Sequence, residues 1–461
     1  MRLAFQPKRP GSFRLYRIIA LFLAIVLTSC AANINSYKTR KEIDRAITSR
    51  DIPSALRIVE RKGMYRNKER LLFYLDAGML HHIHGNWQQS NELLTLAEET
   101  IEELYTKSVA RAASSMLLND NSLEYSGEDY EDIYINVFKA LNYIELGDPD
   151  AAMVEVRRVD EKLGYLEQKY ARMAKEMDAD AKVQFQRSKA RFHSSALASY
   201  ISMIMYEANG RWDDARIDFD NISYAFRSQP ELYPFTAPEI GNPRMDRKGN
   251  TLRVLSFVNP GPIKEPLEMH IHTSKDLLVL ASSGKEMDLN VIPWPGIEDG
   301  YYFKFAIPVL QERPQKVGRV DAVTSDGKRY TLSKLEDLSL IARRSFELKE
   351  PMIILKSVSR TVLKGLAAER AKEEAKKKTS DITSSLLSLA ADAAVFLSEN
   401  ADLRISQFFP SDALVVEIPV SKDEDTIRIE YFDLDGNLIH TELRNFSFAP
   451  SRPNLLYTWY Y

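Results

Sequence analysis

YLDAGMLHHIHGNWQQSNELLTLA, residues 74–97, decides how the first half of this 461-residue chain folds. Its small and apolar residues recur at helical spacing on both sides of Gly85. The segment therefore predicts two antiparallel helices that meet at a glycine ending the first. The same turn recurs at Gly147-Asp148-Pro149 and Gly210-Arg211-Trp212. At matched spacing after each glycine stand a small residue and then apolar ones: Ser90, Leu94 and Ala97; Ala152, Val156 and Val159; Ala215, Phe219 and Ile222. Four residues before the glycines stand His81, Tyr143 and Tyr206. A weaker half-unit lies at Asp51-Ile52-Pro53 with Ala55 and Val59, and the helical pattern runs from Asn35 to about Arg227.

The three units resemble the tetratricopeptide repeat (TPR), in which two antiparallel helices close on small residues at their crossing. Tyr74, Ala77 and Gly78 also fall on first-helix positions of that pattern. The glycines are 62 and 63 residues apart, against a repeat of about 34, so about one further helix pair is expected between units. The resemblance implies a superhelix whose first-helix faces around Tyr74, His81, Tyr143 and Tyr206 form a partner groove or core. A plain antiparallel bundle with glycine turns is the other reading, with the same core but no regular superhelix. Residues 155–192 interleave Glu, Lys and Arg and read as long helices with solvated, i,i+4-paired faces. The acidic stretch 120–132 reads as a solvated loop whose acids favour the next helix N-terminus, or as a site for a cation or basic partner.

Pro230, Pro234, Pro238 and Pro243 mark a linker over 231–250. Beyond it, short runs at 252–258, 267–272, 277–281, 301–309 and 320–323 read as strands, with turns at Ser283-Gly284 and Asp326-Gly327. Helix returns at 335–400, and strands return at 413–418, 426–432 and 438–443, the last two joined at Asp435-Gly436. The fold class expected is α+β: a TPR-like helical domain at 30–230, then an antiparallel β-sandwich-like domain at 251–461 with a helical insertion at about 335–405. The last strands are too few to bury a core alone, so they complete the earlier sheet. Within the insertion, 382–397 is a short apolar helix that lies on its own domain, on a membrane or on a partner. The aromatic end, Tyr457 to Tyr461, reads as an edge strand or docking tail.

The N-terminus carries Arg2, Lys8, Arg9, Arg14 and Arg17 with no acid, then an unbroken apolar run at 18–27, too short to span a bilayer. It ends in Leu27-Thr28-Ser29-Cys30, which resembles a bacterial lipobox. The resemblance implies cleavage between Ser29 and Cys30, an S-diacylglycerol and N-palmitoyl group on Cys30, and a signal peptide at 1–29. A signal anchor, or an ordinary signal in which Cys30 is incidental, is the alternative. Cys30 is the only cysteine, which excludes intramolecular disulfides and cysteine-built metal clusters. Removing residues 1–29 takes away five positive charges and moves the chain from −3 to −8. Ala31 and Ala32 follow the cysteine in place of an inner-membrane retention aspartate, which points to the outer membrane, on its periplasmic side.

The order of features resembles an uncharacterised family of bacterial lipoproteins: lipobox, TPR-like helices, then a β-rich half. Its landmarks here are the stretch from Asn259 to Lys264, a basic helix around Arg360 and Lys364, and Ala401-Asp402-Leu403-Arg404 before Pro410 and the run 415–419. An aromatic expected just after the arginine is absent. The resemblance implies an envelope protein and no particular activity.

Motifs for catalysis are sparse. His81 with His84, and His270 with His272, have ligand-like spacing but no evident carboxylate, and no metal or other cofactor is expected beyond the lipid on Cys30. Ser282-x-x-Lys285 and Ser325-x-x-Lys328 lack the supporting elements of a serine acylating enzyme and read as turns. Asp433-x-Asp435-Gly436 lacks the remaining calcium ligands. The 62 basic and 65 acidic residues nearly cancel and argue against nucleic-acid binding. The function expected is a non-catalytic scaffold or assembly factor, held on the membrane by lipid and binding another cell-envelope protein. The alternative is an envelope hydrolase acting on glycan, with the TPR-like part as its targeting module; convergent carboxylates, or His270 with one, in a concave β-half pocket would favour it.

Overall fold

A computed structural model describes residues 42–43, 45–115, 120–180, 191–243, 250–282, 291–378, 400–420, 423–449 and 452–461. Ser29, Cys30, the whole signal 1–29, Lys285 and the apolar segment 382–397 lie outside the described residues. Each expected helical turn is made by a glycine in the left-handed region: Gly85 (φ 84°), Gly147 (φ 75°) and Gly210 (φ 68°). At each, the residue after the glycine donates its N–H to the carbonyl five residues before its own position: Asn86 to His81 (2.9 Å), Asp148 to Tyr143 (2.9 Å) and Arg211 to Tyr206 (2.8 Å). This is the six-to-one bond of a Schellman ending, which needs a residue tolerant of positive φ.

The turns join α2 (Arg70–His84) to α3 (Trp87–Ser115), α4 (Asp129–Leu146) to α5 (Pro149–Asp180), and α6 (Ala196–Ala208) to α7 (Trp212–Ser228). α1 (Ile52–Val59) holds the half-unit. Asp51 caps it, accepting from Ser54 N–H, and Ala55 and Val59 are buried. Among the described residues no further helix pair separates the hairpins. Their wide spacing is instead taken up by second helices of 29 residues in α3 and 32 in α5.

The chain forms two compact units, Met1–Met64 and Tyr65–Tyr461. In the second, helices occupy the N-terminal half and largely antiparallel sheets the C-terminal half, as the pattern predicts. The strands are β1 (Asn250–Pro260), β2 (Ile263–Ser274), β3 (Leu277–Ser282), β4 (Val291–Pro293), β5 (Tyr302–Gln311), β6 (Arg319–Val323), β7 (Arg329–Thr331) and β8 (Ser333–Asp337). After α8 (Leu338–Lys378) come β9 (Pro410–Val420), β10 (Glu424–Phe432), β11 (Leu438–Ser447) and β12 (Leu455–Tyr460). They form three four-stranded sheets, ordered β12-β1-β9-β8, β11-β10-β6-β7 and β4-β3-β2-β5.

The strands after the insertion do complete the earlier sheets: β9 lies between β1 and β8, and β10 beside β6. The aromatic C-terminus is an edge strand, β12, which runs parallel to β1. Side-chain alternation splits β1 between two layers. Leu252, Val254 and Val258 enter a core shared with Val320, Ile427, Ile429 and Tyr431 of the second sheet. Phe257, of opposite parity, meets Phe138 of α4. The third sheet packs Met269, Ile271 and Phe305 against Ile354, Val358 and Val362 of α8. Gly365 makes that approach possible, since a Cβ there would lie 2.2 Å from the Phe303 ring.

Two helices are buried all round rather than on one face. α4 is buried without a break from Ile133 to Asn142, and α6 from Ala196 to Met205. A helix buried all round has neighbours on every side. Here α3 and α5 cover one side of α4, and Phe257, Phe409 and Trp459 another.

Candidate functional site

Where the three helical turns approach β12 and the end of β11 there is a cleft of about 790 Å³. Gly85 and Trp87 of the first turn, Leu146 and Gly147 of the second, and Ala208 and Asn209 of the third line it, opposite Arg444, Arg452 and Tyr457. Three of the expected groove residues sit beside it, each at the Schellman position of its turn, and their chain neighbours form the lining. His81 is buried and its Nδ1 lies 3.1 Å from Asn86 Nδ2, which fastens the turn. Tyr143 is half-buried. Tyr206 is half-buried, with the Arg211 guanidinium 4.6 Å from its ring centre. Tyr74 is apart, near the start of α2, with its ring against Phe73.

His82, which clusters in the sequence with His81 and His84, forms part of the lining and is 1% exposed. Its ring stacks on Tyr457 (5.5 Å between centres) and meets Phe138 and Trp459 edge-on. Asn142 Nδ2 donates to Ser90 Oγ and Asn91 Oδ1, both at 2.9 Å, so Asn142 Oδ1 is left to accept from His82 Nδ1–H at 2.6 Å. That network assigns the tautomer. His82 Nε2 is then a bare acceptor, and it and Trp459 Nε1 are unpartnered among the described residues.

Burial lowers the His82 pKa to about 4, against the Asn142 bond. Between that value and the ordinary 6.5 the unfolded chain binds more protons than the folded one. Stability is therefore expected to fall by about 3 kcal/mol through His82 as pH drops across this window. The direct check is histidine NMR at pH 5.5. A neutral His82 protonated on Nδ1 is the expected result, and an imidazolium would contradict the arrangement.

The charged groups deeper in the protein are used in pairing. Glu336 of β8 is fully buried and accepts from Tyr134, Ser195 and Tyr233 hydroxyls and from Leu197 N–H, tying α4, α6 and the 231–243 segment to one strand. Burial raises its pKa despite these donors. The acidic stretch is also not a solvated loop. Lys264 pairs with Glu128, and Lys349 bridges Glu128 (2.9 Å) and Asp129 (3.2 Å). Burial alone would raise the Glu128 carboxyl, but the two lysines hold it below its ordinary value. Glu131 accepts from the backbone of Glu128 (2.7 Å) and Ser406 (2.6 Å); burial and then the neighbouring Glu128 push its pKa up to about 7. As expected, these acids do serve the α4 N-terminus, through a Glu128/Glu131 capping box.

The Ala401 to Arg404 segment latches onto the same place. Arg404 pairs with Asp402 at 2.7 Å and donates to the carbonyls of Asp120 and Leu123. Asn259, at φ 59°, uses its side chain to hold the backbone of Lys316 and Val317. Gly261 donates to Phe409 O, and a Cβ there would meet that oxygen at 2.8 Å. Two of the landmark motifs thus converge where strands meet the start of α4.

His270 lies against Tyr302, its Nδ1 2.5 Å from the hydroxyl. Among the described residues no three His, Cys, Asp or Glu side chains are grouped to hold a metal ion. No helix among them is long and apolar enough to cross a membrane. The chain matches no protein-family model, no curated protein and no solved structure.

Proposed function

We propose that the protein is a non-catalytic scaffold or assembly factor of the bacterial cell envelope, anchored through lipid on Cys30 to the periplasmic face of the outer membrane. Its docking surface is the cleft at the helical turns. The observation that carries this reading is the convergence of all three hairpin turns and the C-terminal strand on one cleft, while buried acids at the starts of α4 and α6 hold helices to strands. A cleft built from rigid turn ends costs a partner little ordering. Aromatic Trp87 and Tyr457 with Arg452 are the residue types that anchor protein interfaces.

Ser90, Ala152 and Ala215 are each fully buried at the same distance past their glycines, which supports reading the hairpins as degenerate TPR-like units. The core shared by two sheets supports the β-sandwich-like reading of the other half.

Crosslinking in intact cells followed by mass spectrometry tests the scaffold. One envelope protein recovered well above background is expected, and none recovered would withdraw the reading. The anchor is tested separately. Cys30→Ser is expected to release the chain into the soluble periplasm, because two or three acyl chains make the difference between stable anchoring and none. Full retention on the membrane would contradict lipidation at Cys30.

A further inference from the structure

β11 is an edge of its sheet: it pairs with β10, and no strand lies on its other side among the described residues. Which backbone groups face outward follows from one bond. Phe448 N–H donates to Asp423 O at 2.7 Å, continuing the register that sets Ser447 opposite Glu424. Hydrogen-bonded and non-bonded pairs alternate along an antiparallel ladder. His440, Glu442, Arg444 and Phe446 therefore turn their backbone groups toward β10, and Thr441, Leu443, Asn445 and Ser447 turn theirs to the open edge. Natural edges are blunted by charged side chains, lysine above all, by proline or by a bulge, and the charges of β11 are the opposed pair Glu442 and Arg444. β11 has neither lysine nor proline, and the irregularity of its ladder lies at the far end, opposite Tyr431 and Phe432. Leu443 is 67% exposed and Leu438 55% exposed on this strand.

We propose that β11 is the dimerisation edge of this protein, pairing antiparallel with β11 of a second copy about a two-fold axis through Leu443. The strand's own sequence selects that centre. An axis at Leu443 sets each Glu442 opposite Arg444 of the other copy and the two Leu443 side chains against each other. An axis at Glu442 or at Arg444 would place like charges directly opposite, which is destabilising. An axis at Thr441 or at Asn445 shortens the ladder, because β11 runs only from Leu438 to Ser447. Glu442 accepts from the Tyr431 hydroxyl at 3.0 Å and lies 3.3 Å from Arg444 of its own strand, so the axis joins two such pairs into a four-charge network. The outward-facing N–H and C=O groups of Thr441, Leu443 and Asn445 all find partners, and the four-stranded sheets of two copies become one. The interface is isologous and closes on itself.

The test uses the full-length Cys30→Ser chain, which has no other cysteine, purified in detergent. Its mass by light scattering is expected to be twice that of one chain at micromolar concentration. Leu443→Lys, on an exposed side chain, is expected to weaken association at least about tenfold by opposing two ammonium groups, while Ile217→Lys on α7 leaves it unchanged. Added singly to the same background, Leu443→Cys is expected to form a disulfide-linked dimer on mild oxidation. A hydrogen-bonded pair has Cα atoms about 5.5 Å apart, within the span of a disulfide. Thr441→Cys and Ile439→Cys, which face other residues in this register, are expected to crosslink about tenfold less. A monomeric parent, an undisturbed Leu443→Lys dimer, or crosslinking through Thr441→Cys equal to that through Leu443→Cys would each overturn the proposal.

Discussion

Phe138→Ala is expected to lose about 4 kcal/mol in equilibrium urea unfolding, near the upper range for a buried aromatic. The side chain is fully buried at the middle of α4, with ring centres 5.2 Å from His82, 5.3 Å from Phe257, 5.5 Å from Trp459 and 5.8 Å from Phe409. Its neighbours come from α2, β1, β12 and the approach to β9. The cavity left by truncation therefore opens on four elements, and rigid packing lets few of them collapse into it. Phe138→Leu keeps an apolar volume and is expected to lose less than half as much. A loss below about 1 kcal/mol for the alanine variant would mean that the helices and strands are not joined through this cluster.

Glu336→Leu is expected to cost at least about 4 kcal/mol for a different reason. The leucine is of similar size, but three hydroxyls and one backbone N–H that now converge on the carboxylate would lose their acceptor. Each such donor is shut away from water, and each unmet one costs about 1–3 kcal/mol. The loss should appear as a lower urea midpoint with an unchanged slope, since the surface exposed on unfolding is the same. A variant as stable as the parent would show that the four donors find other partners.

The parts of this fold that were legible in the sequence are those set by a few adjacent residues. Gly85, Gly147 and Gly210 announce their turns because positive φ and the spacing to a small residue are local requirements. Asp326-Gly327 and Asp435-Gly436 announce theirs in the same way, and both glycines have φ of 84°. The parts that were not legible depend on partners far along the chain. Glu128 meets Lys264 across 136 residues and Lys349 across 221. Nothing in the pattern from Asp120 to Asp132 distinguishes that arrangement from a solvated loop.

β4 and β7, three residues each, fall below the length at which alternation shows. His81 and His82 show the limit most sharply. About 100° of helical turn separates them, and only the presence of β12 decides that His82 faces Tyr457 and Trp459 while His81 stays with its own turn. The unbroken burial of α4 and α6 has the same origin, because the strands that cover them lie beyond residue 250.

That burial also bears on the proposed scaffold. The middle of the face expected as a groove is filled by the protein's own strands, so the surface left for a partner is the end of the hairpins. The acidic cluster, the Glu336 hub and the Arg404 latch hold the other end of these helices, at the starts of α4 and α6, and Leu146 (41% exposed) and Arg452 stand on opposite walls of the cleft.

The central claim is that this cleft docks an envelope protein, and site-specific photocrosslinking in living cells tests it most directly. A photoreactive phenylalanine analogue placed at Leu146 or at Arg452 is expected to capture the same envelope protein. One placed at Tyr224, 48% exposed toward the far end of α7, is expected to capture none of it. Equal capture from Tyr224, or no adduct from either cleft position, would contradict the claim.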